Sequence, residues 1–279
     1  MTVYFDNGAG FELFLRAFKS LEIQTHPPFE VIVTDDSKEV NFQTEILEIL
    51  ANSKLNARYI RNSHKQGVAG NSNNGLKDLT GEIFHVLHLD DHLLDEHSYR
   101  DVADYFEKSG KSWVFFAGFL GEDKFIPTEN EFIALGQNSF GGPSGLFIRS
   151  YVEGFYDEDL RMYVDTDLIS RLLQDYPKGC FSDAAVISYG AGPWQIQRNT
   201  TIEQLIRELE LIVTKDYVTA PLIRRSKWGI KGANHKRIIG RALLNQGRIS
   251  KVEYRFRIYL ATLEEKLAAM KHHVMRILK

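Results

Sequence analysis

Apolar and polar positions follow two different periods along the first eighty residues. Residues 11–24 and 44–53 repeat apolar side chains every three or four positions, which predicts amphipathic helices. Residues 29–37 and 57–62 are short runs rich in β-branched and aromatic side chains between turn signals, which predicts strands. Residues 67–81 begin with glycine and become helical. This alternation of strand and helix favours an α/β fold with a mostly parallel, doubly wound sheet.

The segment GEIFHVLHLDDHLLDE, residues 81–96, is the most informative part of the chain. Its apolar run, broken only by His85 and His88, stops at Asp90 and Asp91. A buried strand that ends in paired acids places them at its carboxyl end, where ligands bind in open α/β sheets. Two adjacent carboxylates suit a hard divalent cation whose other positions are filled by phosphates. A solvated loop or a helix N-cap is the alternative.

The pattern loosens after residue 97 but continues to alternate. Residues 112–120 and 179–190 are strand-like, and residues 138–150 form a glycine-rich loop that leads into a short strand. Residues 163–176 are predicted to be helical, with Asp165 and Asp167 in the first turn, where negative charge is favoured.

The last thirty residues repeat apolar side chains at helical spacing, which predicts one long amphipathic helix. These side chains are Ile249, Val252, Phe256, Tyr259, Leu263, Leu267, Met270, Val274 and Ile277. Such a helix could join protomers as a coiled coil through 249–279, lie on an anionic membrane surface, or pack against its own catalytic domain. Nucleic-acid binding through the basic residues is a weaker alternative.

Charge divides the 279-residue chain into two parts. Residues 221–279 hold 15 Lys and Arg but three acids, a net charge of +12, so the first 220 residues carry −15. This asymmetry suggests an acidic, cation-using body and a basic tail that faces an anionic partner. Cys180 is the single cysteine and fits a reducing compartment. No signal peptide or spanning segment is recognisable, which predicts a cytoplasmic protein, with peripheral attachment to the inner membrane face as an option.

Three acidic groups lie far apart in sequence, yet each falls near the end of a predicted element. They are Asp35–Asp36, Asp90–Asp91 and the pair Asp165 and Asp167. Because the ends of successive parallel strands share one edge of a sheet, the first two groups should converge. Their arrangement around a βαβ core indicates a site for a nucleotide diphosphate and a metal.

Three segments of the chain resemble the family 2 glycosyltransferases, which are inverting, nucleotide-sugar-dependent enzymes with the GT-A fold. They are QTHPPFEVIVTDDS, GVAGNSNNGLKDLTGEIFHVLHLDD and GFYDEDLRMYVDTDLISRL, which occur in family order. The resemblance covers roughly residues 1 to 195. It implies a catalytic domain over 1–198, followed by a basic helical region over 199–279.

The resemblance also implies roles for individual acids. Asn7, Asp36 and Asp90 would contact the nucleotide, with Asp36 accepting a hydrogen bond from the base, most often uracil in this family. Asp90 and Asp91 would bind Mg²⁺ or Mn²⁺ bridging the diphosphate. Asp165 occupies the general-base position and would take the proton of an acceptor hydroxyl. The alternative for Asp165 is a stabilising acid at a helix N-terminus.

Two further residues are candidates for acceptor binding. Gly142 lies in the GGPSG loop, which can approach a sugar closely because it has little side-chain bulk, or can be a plain turn. Trp194 could stack on an acceptor sugar or could simply be packed. The acceptor itself is expected to be a glycan or a lipid-linked glycan.

The chain also departs from the family pattern. His88 replaces the first acid of the Asp-x-Asp motif, no histidine occurs near Ser188 and Tyr189, and the opening strand is reduced to TVYFDN, where Asn7 keeps its place. Two hypotheses follow. The first is an inverting transferase that moves a sugar from a nucleotide sugar, expected to be a UDP-sugar. The second is a non-catalytic scaffold of the same fold that assembles through its helical tail.

Overall fold

The computed structural model describes residues 1–5, 10–38, 42–192 and 200–277, with the side chains of 271–277 left out. The chain divides into two compact units. The first comprises Met1–Glu129 and Asn138–Arg198, and the second comprises Asn130–Gln137 and Asn199–Lys279. The assignment of separate roles to 1–198 and 199–279 stays a prediction.

The first unit contains strands and helices close to the predicted positions. Its helices are α1 (Phe11–Glu22), α2 (Gln43–Asn52), α3 (Gly67–Leu76), α4 (Ser98–Ser109) and α5 (Val164–Asp175). Its strands are β1 (Thr2–Val3), β2 (Val31–Asp35), β3 (Ala57–Arg61), β4 (Ile83–His85), β5 (His92–Leu93), β6 (Trp113–Leu120), β7 (Asp123–Phe125), β8 (Leu146–Arg149) and β9 (Cys180–Tyr189).

Helix α1 shows how the apolar pattern becomes packing. Phe14, Phe18 and Leu21 recur at helical spacing and are almost completely buried. They join one core cluster that also contains Val33 of β2 and Phe116 of β6, so both sheets of the unit share this core. Burial of an aromatic or leucine side chain contributes about 1.5–3 kcal/mol, which is why the pattern determines the orientation of the helix.

Strands β1, β2 and β3 form a parallel sheet. Thr2 of β1 pairs with Thr34 of β2 and also forms a parallel bridge to His88. The run that ends at the two acids therefore lies beside β1, on the side opposite β2. The sequence predicts a strand over the whole apolar run, but regular strand structure is limited to β4 (Ile83–His85). The later part of the run pairs with β1 only through the single bridge between His88 and Thr2.

The second sheet is mixed, with the strand order β4-β8-β6-β9-β5 and with β7 on β6. Strands β6 and β9 are parallel, whereas β8 is antiparallel to both β4 and β6. Antiparallel pairs are thus commoner after residue 97 than the sequence pattern indicated. The predicted α/β fold of the GT-A type with a helical C-terminal region is confirmed.

The second unit contains four helices within the part of it that the structure describes: α6 (Ile202–Ile212), α7 (Ala220–Gly229), α8 (Ala233–Asn245) and α9 (Lys251–Ile277). Thr201 and Gln204 form a reciprocal capping box at the start of α6. Thr219 caps α7, with a proline in its first turn. Over the described residues, none of the helices combines the length and apolar character needed to cross a bilayer.

Charged residues on the inner face of α9 hold this unit together. Arg257 is 3% exposed and donates to the Ser226 hydroxyl at 3.0 Å and to the Ile223 carbonyl at 2.7 Å, both on α7. Glu264 accepts a hydrogen bond from Lys236 of α8 at 2.7 Å, and Glu265 pairs with Arg237 of the same helix. Ion pairs and hydrogen bonds therefore supplement a small apolar core.

Replacement of Arg257 tests this arrangement. Arg257→Ala removes three hydrogen bonds made by a buried guanidinium, and we expect the free energy of unfolding to fall by about 3 kcal/mol. Arg255→Ala, an exposed arginine two residues away, is the matched control and should change it by less than about 0.5 kcal/mol. Urea unfolding followed by helical circular dichroism measures both. Equal effects of the two changes would contradict the role of Arg257.

Candidate active site

The carboxyl ends of the parallel strands bring the first two acidic groups to one edge. Val3 of β1 pairs with Asp35 of β2, and Thr2 pairs with His88 on the other side of β1. Asp36 directly follows β2 on one side of β1, and Asp90 follows the segment around His88 on the other side. The convergence expected from strand order is present in the structure.

The carboxylate of Asp36 holds the loop that precedes α3. Its Oδ1 accepts from the Gln66 amide at 2.8 Å and from the Asn62 side chain at 2.9 Å, and its Oδ2 accepts from the Gly67 amide at 2.9 Å. The residue is 4% exposed. Asp36 thus connects β2 to the amino end of α3, and its contact with a nucleotide base stays a prediction.

Side-chain amides on α3 connect the three family-like segments. Asn71 donates to the carbonyl oxygens of Val3 and Thr34, each at 3.2 Å. Asn73 exchanges two hydrogen bonds of 2.9 Å with the backbone of Tyr156. Because buried amides are stable only when hydrogen-bonded, these pairs fix the loop around Tyr156 against the sheet edge.

The second acidic pair lies against the end of β9. Asp91 is buried, and its Oδ1 accepts from the Gly190 amide at 2.8 Å. A Cβ atom on Gly190 would lie 2.3 Å from the Asp90 carbonyl oxygen, so this close approach requires glycine. Burial, and then the charge of Asp90, raise the pKa of Asp91 well above its usual value, while the hydrogen bonds from Ser144 and Gly190 oppose that rise.

Ser144 in the GGPSG loop connects this pair to the preceding strand. Its hydroxyl accepts from the His88 amide at 3.1 Å and is also bonded to Asp91. Its carbonyl lies 2.8 Å from Nε2 of His85, so that nitrogen carries the proton, and Nδ1 accepts from the Tyr99 hydroxyl at 2.9 Å. Burial lowers the pKa of His85 to about 3, which keeps the ring neutral.

Tyr189 at the end of β9 was not among the residues predicted from the sequence. Its ring lies against Gly118 and the GGPSG loop, and a Cβ atom on Gly145 would lie 2.5 Å from its hydroxyl oxygen. That hydroxyl is inaccessible to solvent and finds no hydrogen-bond partner among the described residues. Burial raises the pKa of Tyr189, and the negative charges of Asp91 and Asp165 raise it further.

Asp165 lies in the first turn of α5. Its Oδ1 is out of contact with solvent and has no hydrogen-bond partner in the part of the chain that the structure describes. Burial raises the pKa of Asp165 from 3.8 to about 7. By contrast, Asp167 is fully buried and pairs with Arg171 at 2.9 Å, as a structural acid does. The two acids of this turn therefore have different environments.

The structure accounts for the remaining predicted residues in different ways. Asn7 and Trp194 lie outside the described residues. Gly142 lies against the Tyr189 ring, so its small size makes room for that ring. Two features of the sequence could have pointed to Tyr189. The small residues of the GGPSG loop leave room for a large side chain beside them, and Tyr189 stands where the family often has a histidine.

The donor set fits a metal that is held mainly by substrate. Over residues 1–5, 10–38, 42–192 and 200–277, no group of three or more His, Cys, Asp or Glu side chains could hold a metal ion by itself. Magnesium commonly needs one or two carboxylates when substrate phosphates supply the other ligands. Asp90 is half-buried at this edge, whereas Asp91 is almost completely buried, so Asp90 is the more accessible of the two.

Carboxylates that gather at the carboxyl edge of a parallel sheet, with the first strand between them, lie where ligands bind in open α/β folds. The family model described as "Glycosyl transferase family 2" matches residues 7–173, which is more than half of the chain. The chain therefore belongs to glycosyl transferase family 2.

Individual relatives agree with this assignment. A stretch of 79 residues is 32% identical to the GalNAc(5)-diNAcBac-PP-undecaprenol beta-1,3-glucosyltransferase of Campylobacter jejuni subsp. jejuni; it makes up 28% of this chain and spans about a quarter (26%) of that relative. The fold is similar to S. aureus TarS 1-349 in complex with UDP-GlcNAc (16% identity, TM-score 0.59, covering 93% of this chain and 78% of that one). It is also similar to the mannosyltransferase PcManGT of Pyrobaculum calidifontis in complex with GDP-Man and Mn2+ (15% identity, TM-score 0.53, covering 96% and 74%).

The buried hydroxyl of Tyr189 makes a prediction about stability. Tyr189→Phe removes a buried polar atom that has no partner in the described structure, so we expect the free energy of unfolding to rise by about 1 kcal/mol. Tyr59→Phe is the matched control, because its hydroxyl donates to Asp35 at 2.6 Å and its loss should lower stability by a similar amount. Urea unfolding at neutral pH measures both. A loss of stability in Tyr189→Phe would show that the hydroxyl has a structural partner.

Proposed function

We propose that this glycosyltransferase moves a sugar from a UDP-sugar to a glycan or lipid-linked acceptor with inversion at the anomeric carbon. The observation that carries the proposal is the carboxylate of Asp165 in the first turn of α5, whose Oδ1 is out of contact with solvent and has no partner among the described residues. The relative from Campylobacter, named for a lipid-linked substrate, and the UDP-GlcNAc complex of TarS support the choice of substrates.

Asp165 is proposed as the general base. A base that must accept a proton near neutral pH works best when its own pKa lies near that pH, and burial places the pKa of Asp165 at about 7. The carboxylate takes the proton of the acceptor hydroxyl while that oxygen bonds to the anomeric carbon. The bond from that carbon to the diphosphate breaks on the opposite face, and the electron pair leaves with the nucleoside diphosphate.

Asp90 is proposed as the protein ligand of a Mg²⁺ or Mn²⁺ ion, with Asp91 behind it. The bound metal would offset the negative charge that develops on the departing diphosphate. Asp91 fixes the backbone of Asp90 through the Gly190 amide and through Ser144. Because burial keeps His88 neutral by lowering its pKa, this histidine adds no positive charge beside the metal position.

Tyr189 is proposed to donate its hydroxyl hydrogen to an oxygen of the reacting sugars. Its pKa is raised, so the hydroxyl stays protonated and can act as a hydrogen-bond donor. Gly142 lies against the ring of Tyr189. Its proposed effect on acceptor binding is therefore indirect, through the position of that ring. The proposed contacts of Asn7 and Asp36 with the nucleotide, and of Trp194 with the acceptor, complete the assignment.

Substitution of Asp165 tests the general base. Asp165→Asn should retain affinity for the donor and lose transfer by about 10²-fold or more, the scale of general-base catalysis. In the unchanged enzyme, kcat/KM should rise with pH and level off above about pH 7, where Asp165 is ionised, and this step should be absent in Asp165→Asn. Asp167→Asn is a poor control because it breaks an ion pair; Asp159→Asn, on the exposed surface, is the suitable one.

The stability of the same variant separates catalysis from a structural role. Because the pKa of Asp165 is raised by folding, its contribution to stability is present at low pH and is lost as pH rises from about 4 through about 7. Asp165→Asn cannot ionise, so it should become more stable than the unchanged protein as pH rises through that range. A variant that loses both transfer and stability at pH 8 would make Asp165 a structural acid.

Replacement of Asp90 tests the metal and the donor together. Calorimetry should show that UDP binds with Mn²⁺ present, and that Asp90→Ala weakens this binding by about tenfold or more because a direct metal ligand is lost. Asp78→Ala, an acid that forms a surface ion pair with Arg58, is the control and should bind UDP normally. If neither UDP nor a panel of UDP-sugars binds to the unchanged protein, the UDP-sugar assignment fails.

A further inference from the structure

The outer face of α9 carries a row of exposed apolar side chains. We define the apolar stripe as this row together with Trp228 of α7; its members, between 39% and 78% exposed, are Trp228, Val252, Phe256, Tyr259, Leu263, Leu267 and Met270. The rings of Trp228 and Phe256 meet edge to face with 5.6 Å between their centroids. The stripe is therefore one continuous surface across two helices of the second unit.

The stripe is not the face by which α9 packs within its own unit. Ala261 and Arg257 are buried on the opposite side, where α9 meets α7 and α8. A monomeric protein rarely exposes a large contiguous apolar patch unless it contacts a partner.

Charges around α9 are sorted between its two faces. The acids of the helix lie toward the inner face, where Glu253 pairs with Arg257, Glu264 with Lys236 and Glu265 with Arg237. Beside the stripe, the helical spacing places Arg255 and Lys266, both exposed and without an ion pair among the residues described. Lys227 lies over the Trp228 ring at 5.9 Å. The exposed apolar surface thus has cationic and not acidic neighbours.

This sorting decides between the possible partners. A second copy of the chain would bring two cationic borders together, since residues 221–279 carry a net charge of +12. A nucleic acid would match the charge but would leave the apolar side chains in water. An anionic lipid surface satisfies both, because apolar side chains enter the acyl boundary while Lys and Arg remain among the headgroups.

We propose that the apolar stripe docks the second unit on an anionic lipid bilayer, with α9 lying in the plane of the interface. Trp228 and Tyr259 are suited to the headgroup level, because each has an apolar ring and a polar edge. Lys227, Arg255 and Lys266 contact lipid phosphates from the border of the stripe. The proposal goes beyond transferase chemistry and assigns a surface that the catalytic acids do not use.

Co-sedimentation with lipid vesicles tests the proposal on the full chain. The protein should bind vesicles that mix phosphatidylcholine with phosphatidylglycerol, and salt should weaken the binding. Phe256→Ser combined with Leu263→Ser should reduce binding by about tenfold or more, because two apolar side chains that would enter the bilayer are lost. Phe29→Ser combined with Tyr151→Ser removes exposed apolar residues of the first unit and should bind as the unchanged protein does.

The charge component has its own pair of variants. Arg255→Glu combined with Lys266→Glu should lose binding to the mixed vesicles, whereas Lys124→Glu combined with Lys178→Glu, on the exposed surface of the first unit, should retain it. Circular dichroism verifies that each variant is folded. UDP binding by the same variants should be unchanged, so a failure of the docking proposal is distinguishable from a failure of the proposed function.

Three outcomes would overturn the proposal. The first is equal binding by the Phe256 and Leu263 variant and the unchanged protein. The second is equally strong binding to vesicles of phosphatidylcholine alone, which would remove the requirement for anionic lipid. The third combines two results: neither the unchanged protein nor the Phe256 and Leu263 variant binds vesicles, and light scattering gives a dimer for the former and a monomer for the latter. A second copy of the chain would then cover the stripe.

Discussion

The hydrogen bond between the Gly190 amide and the Asp91 carboxylate is the contact on which the candidate active site depends. It joins the end of β9 to the acidic pair at a point where only glycine fits. The same carboxylate is bonded to Ser144, whose loop supports Tyr189. One buried acid therefore fixes the backbone of Asp90, the position of the GGPSG loop and the end of the strand that carries the tyrosine. A buried carboxylate of this kind is stable only because its partners are already in place.

The other side of the edge is fixed by neutral amides and by Asp36. Asn71 reaches the ends of β1 and β2, and Asn73 holds the loop that leads toward α5. These bonds are short-range and directional, so they fix the loop around Tyr156 more closely than apolar packing alone does. The acids of the site are thus positioned by two polar networks, one centred on Asp91 and one on α3, on a common apolar core.

Much of the fold and part of the site could be predicted from the sequence. The helices α1, α2 and α5 follow from apolar spacing, and the convergence of Asp36 and Asp90 follows from strand order. The antiparallel pairing of β8 with β6 could not be predicted, because the direction in which a strand joins a sheet depends on contacts that are distant in sequence. Tyr189 was missed for the same reason: its hydroxyl is significant only because residues from three separate segments surround it. The exposure of the stripe on α9 likewise depends on which face α8 covers.

The oxygen atoms of Asp165 and Tyr189 that lack a hydrogen-bond partner within the described parts of the chain have a consequence for the energetics of ligand recognition. Each lowers the stability of the folded chain, because a buried polar atom without a hydrogen bond has lost its water and gained nothing. A hydroxyl-bearing ligand that supplies the missing bonds would stabilise the fold by more than its contact area indicates. An apolar ligand of the same shape would lack this gain. If these atoms contact the substrate as proposed, part of the selectivity for a hydroxyl-bearing ligand is held in the free protein as a local instability.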